Sequence, residues 1–232
     1  MPPQRIVPDA RWRCGERRVV MRTVVFRGVL IAALACAVGM PLFAQAEPLD
    51  ALQAYRDGNF AEAVRITLIE IEAGPNNIES YVVLGWALNA LGRHADAVDY
   101  GLRALRINQF ESRILQIVAE AHFAMRNDLE ALDYLERYVR VAPSGSYIDW
   151  AYYAMGEVLA RFGEYHRADI ALTTSVFHNS RNATRWARLG FVREQLADWR
   201  GALAAYDRAL QLNPNLTAAI QGRQRAQAAL SG

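Results

Sequence analysis

The chain has 232 residues, of which 53% are hydrophobic, and this is too much apolar material for a disordered protein. All 26 basic residues are arginine, and seven of them lie in residues 1–46 with only two of the 24 acidic residues, so the rest of the chain is net acidic despite an overall charge of +2. Nucleic-acid binding, which requires a net basic surface, therefore loses its main support.

The N-terminal segment has the pattern of an export signal. Residues 28–46 carry no charged side chain, and the run 29–40 is strongly apolar. Arg22 and Arg27 precede this run, and Ala44-Gln45-Ala46 follows it. A basic segment, an apolar segment and a small-x-small site in this order are typical of a secretory signal peptide, which we expect to be cut after the last of these alanines.

Met21 would give this signal peptide an ordinary length, so we interpret residues 21–46 as the signal and residues 1–20 as an upstream extension or a misassigned start. The protein is then expected to be exported, with the periplasm as its compartment. Two alternatives stay open, and both tether the protein to the membrane. Residues 28–46 are just long enough for one uncleaved membrane anchor, and Cys36 lies in a sequence that loosely resembles a lipidation site.

Beyond this leader, small residues recur at a fixed period. Gly58 and Gly92 are 34 residues apart. The alanines at 63, 97, 131, 168 and 202 are separated by 34 residues, except for one step that is three residues longer. Such a period predicts stacked supersecondary units. Paired apolar-periodic segments such as 80–91 and 94–107 predict that each unit is a helix pair, which must stack on its neighbours to bury its apolar face.

The small residues also predict how the helices meet. We expect Gly85, Ala119, Gly156 and Gly190 to allow the first helix of a pair to approach its partner, with the periodic alanines on the other side. The glycines at 58, 92 and 163 are expected in the turn within a pair, where a positive φ is common. Prolines at 75, 143 and 214 mark the ends of units, because proline cannot extend a helix.

The fifth unit shows this pattern most fully, with Trp186, Leu189-Gly190, Ala202, Tyr206, Ala209 and Pro214. These residues resemble the tetratricopeptide repeat. The resemblance implies an all-α fold, a right-handed α-solenoid of about five helix-turn-helix repeats over residues 47–214. Its units are expected at about 47–77, 78–111, 112–148, 149–182 and 183–214, followed by a capping helix in residues 215–232. The three extra residues fall around 142–149, where a local change of curvature is expected.

No residue pattern indicates catalysis or metal binding. Both cysteines, Cys14 and Cys36, lie in the leader, so residues 47–232 contain no thiol. The four histidines are well separated, and no two are spaced as ligands on one helical face. The sequence also lacks a glycine-rich phosphate loop and a Gly-x-Ser-x-Gly motif. We therefore expect no enzymatic activity, no cofactor and no metal site.

The resemblance also implies a binding surface, because members of this family generally use the concave groove formed by the first helices. When Gly85, Ala119, Gly156 and Gly190 are counted as position eight, positions two, five, nine, twelve and thirteen face inward. The residues expected to line the groove are Tyr55, Trp86, Asn89, Gln116, Glu120, Phe123, Trp150, Tyr153, Glu157, Phe191 and Glu194, with Arg56 and Arg161 at corresponding positions. Aromatic side chains beside polar groups are typical of a peptide-binding hot spot, although several of these rings could instead pack against the adjacent helix.

The expected function is a non-enzymatic protein–protein interaction scaffold of the cell envelope, which binds a segment of an unidentified protein partner in this groove. Glu120, Glu157 and Glu194 would favour a partner that carries Arg or Lys, and nucleic acid is not expected as a partner. Two alternatives stay open. One is a transport accessory protein that binds a small hydrophobic ligand, and the other is a structural component that assembles by end-to-end stacking.

Overall fold

A computed structural model describes residues 50–231. Over these residues the chain forms eleven α-helices and no strand. They are α1 (Ala51–Arg56), α2 (Phe60–Ala73), α3 (Ile78–Ala90), α4 (His94–Ile107), α5 (Ser112–Ala124), α6 (Asp128–Val141), α7 (Ile148–Arg161), α8 (Tyr165–His178), α9 (Ala183–Gln195), α10 (Trp199–Leu212) and α11 (Thr217–Ser231). The predicted signal peptide, anchor and lipidation site lie outside the described residues.

The first ten helices form five consecutive pairs, and α11 follows the last pair. Each helix packs against the next one along the chain, and the first helices of successive pairs also contact one another, as α3 and α5 do. Helix α11 packs on both α9 and α10. The predicted all-α solenoid of helix-turn-helix repeats is therefore confirmed. Within residues 50–231, no helix combines the length and the apolar character needed to cross a bilayer.

The core is built around the periodic small residues. The alanines at 63, 97, 131, 168 and 202 are all fully buried. A Cβ atom added to Gly156 would lie 2.6 Å from Cγ of Leu172, and one added to Gly190 would lie 2.8 Å from the ring of Tyr206, so both glycines let a first helix approach its partner. Gly85 differs from the prediction, because its nearest neighbour is Ile117 on the next first helix, at 2.7 Å from an added Cβ.

Aromatic residues tie the start of a first helix to the loop before it. The hydroxyl of Tyr81 donates a hydrogen bond to the carbonyl of Pro75 at 3.1 Å. In the fifth pair, the indole N–H of Trp186 donates to the carbonyl of Ser180 at 2.9 Å, across the same separation of six residues. The ring of each residue packs beside its helix pair. The hydroxyl or indole N–H satisfies a loop carbonyl that the helices leave without a partner.

One residue in the turn within every pair has a positive φ. In three pairs this residue is glycine, as the sequence predicted: Gly58, Gly92 and Gly163, with φ of 79°, 72° and 75°. In the third and fifth pairs the position is held by Arg126 and Ala197, with φ of 63° and 56°. Because a side chain in this left-handed region costs about 1–2 kcal/mol, these two turns are strained relative to the other three.

Replacing Ala197 with glycine is therefore expected to stabilise the protein. The strain is relieved while the unfolded chain gains some entropy, so we expect a net gain of about 0.5–1 kcal/mol and a rise in Tm of about 1–4 °C. Differential scanning calorimetry measures this change. The matched control is Ala204→Gly in the middle of α10, at an exposed position, which should lower stability by about 1 kcal/mol. Equal effects from the two substitutions would rule out strain in the turn.

The C-terminal helix is held on the fifth pair by one buried tyrosine. The ring of Tyr206 lies between Gly190 of α9 and Gly222 of α11, and a Cβ added to either glycine would collide with it. Its hydroxyl donates a hydrogen bond to Oε2 of Glu194 at 2.9 Å, and burial raises its pKa, so it remains a neutral donor. Arg225 of α11 pairs with the same carboxylate at 2.8 Å. These contacts give the predicted capping helix its attachment.

Candidate functional site

The structure brings five of the predicted groove residues together around one open pocket of about 550 Å³. They come from three first helices and are Tyr55 of α1, Trp86 and Asn89 of α3, and Gln116 and Glu120 of α5. Four residues that the repeat phase did not predict complete the pocket: Ala90, Arg113, Ser146 and Tyr147. We call this set of nine residues the groove pocket.

One wall of the groove pocket is aromatic. The ring centroids of Tyr55 and Trp86 are 5.8 Å apart, and the rings are tilted by 32°. The ring of Phe60, at the start of α2, also contacts that of Tyr55, with the centroids 5.5 Å apart. All three rings are only partly buried. An apolar surface thus remains open on the inner side of the first two helix pairs.

The groove pocket is also lined by the carboxylate of Glu120. The side-chain amide of Gln116 donates to its Oε1 at 3.4 Å, and the polar side chains of Tyr147 and Asn89 lie near the carboxylate. Burial raises the pKa of Glu120, and these neutral donors only partly oppose the shift. Burial, together with the neighbouring carboxylate, raises the pKa of Tyr147 to about 12. In the folded protein the carboxylate is therefore partly shielded from water, and the polar groups around it are neutral.

No arginine of the described chain forms an ion pair with Glu120. The arginine that lines the same pocket, Arg113, is held by two other acids. It donates to both carboxylate oxygens of Glu79, at 2.7 and 2.8 Å, and to Glu111 at 2.9 Å. The pocket thus offers a partly buried carboxylate without a matching internal cation.

Asn89 is used mainly to join helices. Its Nδ2 donates to the carbonyl of Ile117 on α5 at 3.0 Å, and its Oδ1 lies 3.1 Å from Nδ1 of His94 on α4. These contacts fix the distance between the first helices that carry the aromatic wall and Glu120. We therefore give Asn89 a positioning role in the pocket.

Phe123 and Trp150 lie beside the groove pocket. Their ring centroids are 5.8 Å apart in an edge-on arrangement, and Trp150 is 5.9 Å from Tyr147. The guanidinium of Arg161 covers Phe123 at 5.0 Å and is itself paired with Asp128. Trp150 therefore extends the aromatic surface of the pocket, whereas the face of Phe123 is partly occupied.

The predicted residues nearer the C-terminus are occupied by internal contacts. Arg188 pairs with Glu157 at 2.5 Å and covers the ring of Phe191 at 4.8 Å. Arg185 covers the ring of Tyr153 at 5.6 Å. Glu194 is buried and binds Tyr206 and Arg225, as described above. The structure thus does not join these four residues to the groove pocket, and arginines of the chain already satisfy both acids.

Two histidines of the described region stack on tyrosine rings. His122 is buried and stacks on the ring of Tyr134, with centroids 5.6 Å apart, and burial lowers its pKa. His178 stacks on Tyr152 at 6.1 Å. Residues 50–231 contain no cluster of His, Cys, Asp and Glu side chains that could hold a metal ion.

The raised pKa of Glu120 leads to a prediction about stability. A carboxyl group with a higher pKa in the folded state favours folding as the pH falls below that pKa, and its ionised form opposes folding at neutral pH. We therefore expect Glu120→Gln to have a Tm at least equal to that of the wild type at pH 7, with the advantage lost at acidic pH. Thermal melts at several pH values measure this. Glu72→Gln, at an exposed site, should show no such crossover.

Comparisons with known proteins agree with the fold. Residues 78–110 and 183–216 each match a family model described as tetratricopeptide repeat. These segments contain the second and the fifth helix pairs, so the predicted resemblance is confirmed for both. Tetratricopeptide repeats form a generally non-catalytic fold that serves in protein-interaction scaffolds and binds protein partners. A search of curated proteins found no match.

Several solved structures share the fold. Residues 41 to the end of MamA from Desulfovibrio magneticus RS-1 are 20% identical, with a TM-score of 0.65, over 72% of this chain and 93% of that one. YrrB, described as a TPR protein with an unusual peptide-binding site, is 16% identical, with a TM-score of 0.65, over 71% of this chain and 84% of YrrB. TTC0263, a TPR protein of Thermus thermophilus, is 20% identical, with a TM-score of 0.53, over 78% of this chain and 96% of TTC0263. At these identities the likeness shows the fold alone.

Proposed function

We propose that this protein is a non-enzymatic scaffold that binds an extended segment of a partner protein in the groove pocket. The observation that carries the proposal is the position of Glu120, a partly buried carboxylate without an internal cation, in the same pocket as the partly exposed rings of Tyr55 and Trp86. Burying a charge without a counterion is unfavourable. A partner that supplies the cation would recover this cost on binding.

The chemistry of the pocket favours a lysine or arginine side chain as the central contact. Such a side chain has an apolar stem and a cationic end. The stem would pack along Tyr55 and Trp86, and the cation would reach Glu120. A cation near the face of Trp86 would gain about 0.5–2 kcal/mol more. The mixture of carboxylate, amides and rings gives less support to a small hydrophobic ligand.

The rest of the inner face supports a short binding site. Arginines of the chain pair with Glu157 and Glu194 and cover Tyr153 and Phe191. A basic partner segment would have to displace these internal arginines to bind there. Trp150 remains next to the pocket through Tyr147 and would contact the residues that flank the central side chain.

We also propose that the scaffold acts in the cell envelope. The support is the leader pattern in residues 21–46, which predicts export to the periplasm, with a membrane tether through residues 28–46 or Cys36 as the alternative. Intact-mass analysis of the protein from an envelope fraction tests this. A mass beginning at residue 47 would support cleavage, a mass raised by a lipid at Cys36 would support tethering, and an unprocessed chain in the cytosol would contradict export.

The binding proposal is tested by placing a photo-crosslinking amino acid at position 150, beside the pocket, inside cells. The captured protein is then identified, and its affinity for the purified scaffold is measured. Trp86→Ala is expected to weaken binding about 30-fold or more, as a central aromatic anchor does. Glu120→Gln is expected to weaken it about tenfold, because a charged hydrogen bond is lost. Trp199→Ala and Glu72→Gln, which lie outside the pocket, are the matched controls. Unchanged affinity of both pocket variants would exclude this site.

A further inference from the structure

Two similar cavities lie at the C-terminal ends of α4 and α6, one at each helix. The first cavity is about 510 Å³ and is lined by Tyr81, Arg103, Arg106 and Ile107 with residues 75–76. The second is about 580 Å³ and is lined by Leu115, Arg137, Arg140 and Val141 with residues 109–110. Each residue of the second cavity lies 34 positions after its counterpart in the first. We call these cavities the arginine notches, and they share no residue with the groove pocket.

The first arginine of each notch is held in the same way. The guanidinium of Arg103 lies 4.8 Å from the ring centroid of Tyr100, and that of Arg137 lies 4.8 Å from the ring of Tyr134. Stacking uses the flat face of the guanidinium and leaves N–H groups in its plane free to donate. The second arginine follows one helical turn later, on the same side of the helix. Each notch therefore presents two guanidinium groups, one of which is preorganised.

These arginines have little internal charge compensation. In the described chain, Arg103 and Arg106 form no ion pair, and Arg140 donates only to the main-chain carbonyl of Glu136, at 3.2 Å. Arg137 reaches Asp133 at 3.8 Å, which is a long and exposed pair. By contrast, five arginines of α5, α7 and α9 are paired with carboxylates at much shorter distances: Arg113, Arg161, Arg185, Arg188 and Arg193.

Only two successive repeats carry this pair of arginines. The equivalent positions in the first helix pair are Ile69 and Glu72, and those in the fourth are Thr174 and Phe177. Beside the second notch, Phe110 leaves 64% of its surface exposed. The two notches thus form one bounded surface, with a cationic pair and an apolar contact in each half.

We propose that the two arginine notches together bind one extended acidic segment of a partner protein, with a carboxylate at each arginine pair and apolar side chains against Ile107, Val141 and Phe110. Arginine and carboxylate form paired hydrogen bonds of matching geometry. A short acidic segment fits better than a polyanion such as nucleic acid or a lipid surface. Residues 47–232 are net acidic, and the arginines of this surface are confined to the two notches.

The test uses fluorescein-labelled peptides that contain two Glu-Leu-Glu clusters, joined by spacers of increasing length, and fluorescence anisotropy with the folded protein. One spacer length should bind most tightly, because the notches are a fixed distance apart. The double variant Arg106→Gln/Arg140→Gln should weaken that complex about tenfold or more and reduce its dependence on salt. The matched control is Arg181→Gln/Arg200→Gln, which removes two exposed arginines elsewhere and should bind as the wild type does.

Equal affinity of the notch variant and the control, with circular dichroism showing both folded, would overturn the proposal. So would an affinity that is independent of spacer length. Vesicles containing phosphatidylglycerol, or a DNA oligonucleotide, that bind as tightly and with the same dependence on Arg106 and Arg140 would show a general anion surface instead. Trp86→Ala should not alter peptide binding, and a loss in that variant would place the peptide in the groove pocket.

Discussion

Replacing Tyr206 with alanine is expected to lower the free energy of unfolding by about 3–5 kcal/mol, the cost of deleting a large buried aromatic side chain. Only 1% of Tyr206 is exposed, and its ring fills the space between Gly190 and Gly222. Without the ring, α9 and α11 each lose part of their packing against α10, and Glu194 loses a hydrogen bond. Thermal denaturation should show a fall in Tm on the order of 10 °C.

The control is Tyr206→Phe, which keeps the ring and should cost about 1–2 kcal/mol for the lost hydrogen bond. Because solenoid repeats contact only their neighbours, the damage should stay local. Hydrogen exchange in Tyr206→Ala is expected to increase in α9 to α11 and to remain unchanged in α1 to α4. A uniform increase along the whole chain would contradict this account of the C-terminal helix.

Replacing Asp149 with alanine is expected to cost about 3 kcal/mol, because it leaves a buried arginine without its counterion. Arg185 is only 8% exposed and pairs with the carboxylate of Asp149, which also accepts a hydrogen bond from Asn179 at 2.8 Å. The main-chain carbonyl of Asp149 accepts from Ser175 at 2.7 Å. This cluster joins α7, α8 and the start of α9. Urea denaturation measures the loss.

A double variant separates the ion pair from other effects. In Asp149→Ala/Arg185→Leu both charges are gone, so stability should recover in part, and a double-mutant cycle should give a favourable coupling energy. Simple additivity of the two substitutions would show that the pair contributes no coupling. The pH dependence gives a second check. Burial opposes ionisation of Asp149, but hydrogen bonds from Asn179 and Arg185 outweigh it and lower the pKa. This stabilisation is complete above about pH 4 and is lost as the pH falls through the lower, folded-state pKa.

The fold could be predicted from the sequence because its main determinants recur at one period. A fully buried alanine in every pair follows from the need for close helix contacts, and a glycine in a turn follows from its positive φ. Residue type alone does not predict the same conformation at Arg126 and Ala197. There the packing of the two flanking helices fixes the backbone, and only the alignment with the other units could have shown it.

The candidate site was predictable only where the helical phase is regular. Counting positions along the first helices placed Trp86 and Glu120 on the same inner surface, and the structure puts both in one pocket. Tyr147 was missed because it lies within the region of the three-residue insertion and precedes α7, so the helical phase does not extend to it. The structure holds it there through the hydroxyl of Tyr138, which accepts from the Tyr147 amide at 3.2 Å.

The internal arginine pairs were also missed, for a different reason. Arg188 and Glu157 are 31 residues apart, and Arg225 and Glu194 are separated by the same distance in sequence. Whether such residues meet depends on the twist between successive helix pairs, which the amino-acid sequence does not express as a local pattern. An acid assigned to a partner from its phase alone can therefore be satisfied within the chain, as Glu194 is.

The contacts between neighbouring helix pairs have a mechanical consequence. Tension applied to the two ends of the solenoid would pass through every interface in series, so each interface would contribute its own small rotation to the extension. The molecule would then behave as a spring whose compliance is dominated by its softest interface. A partner segment bound across α1, α3 and α5 would bridge two of these interfaces and stiffen that end of the solenoid. The molecule would then be harder to stretch when the partner is bound.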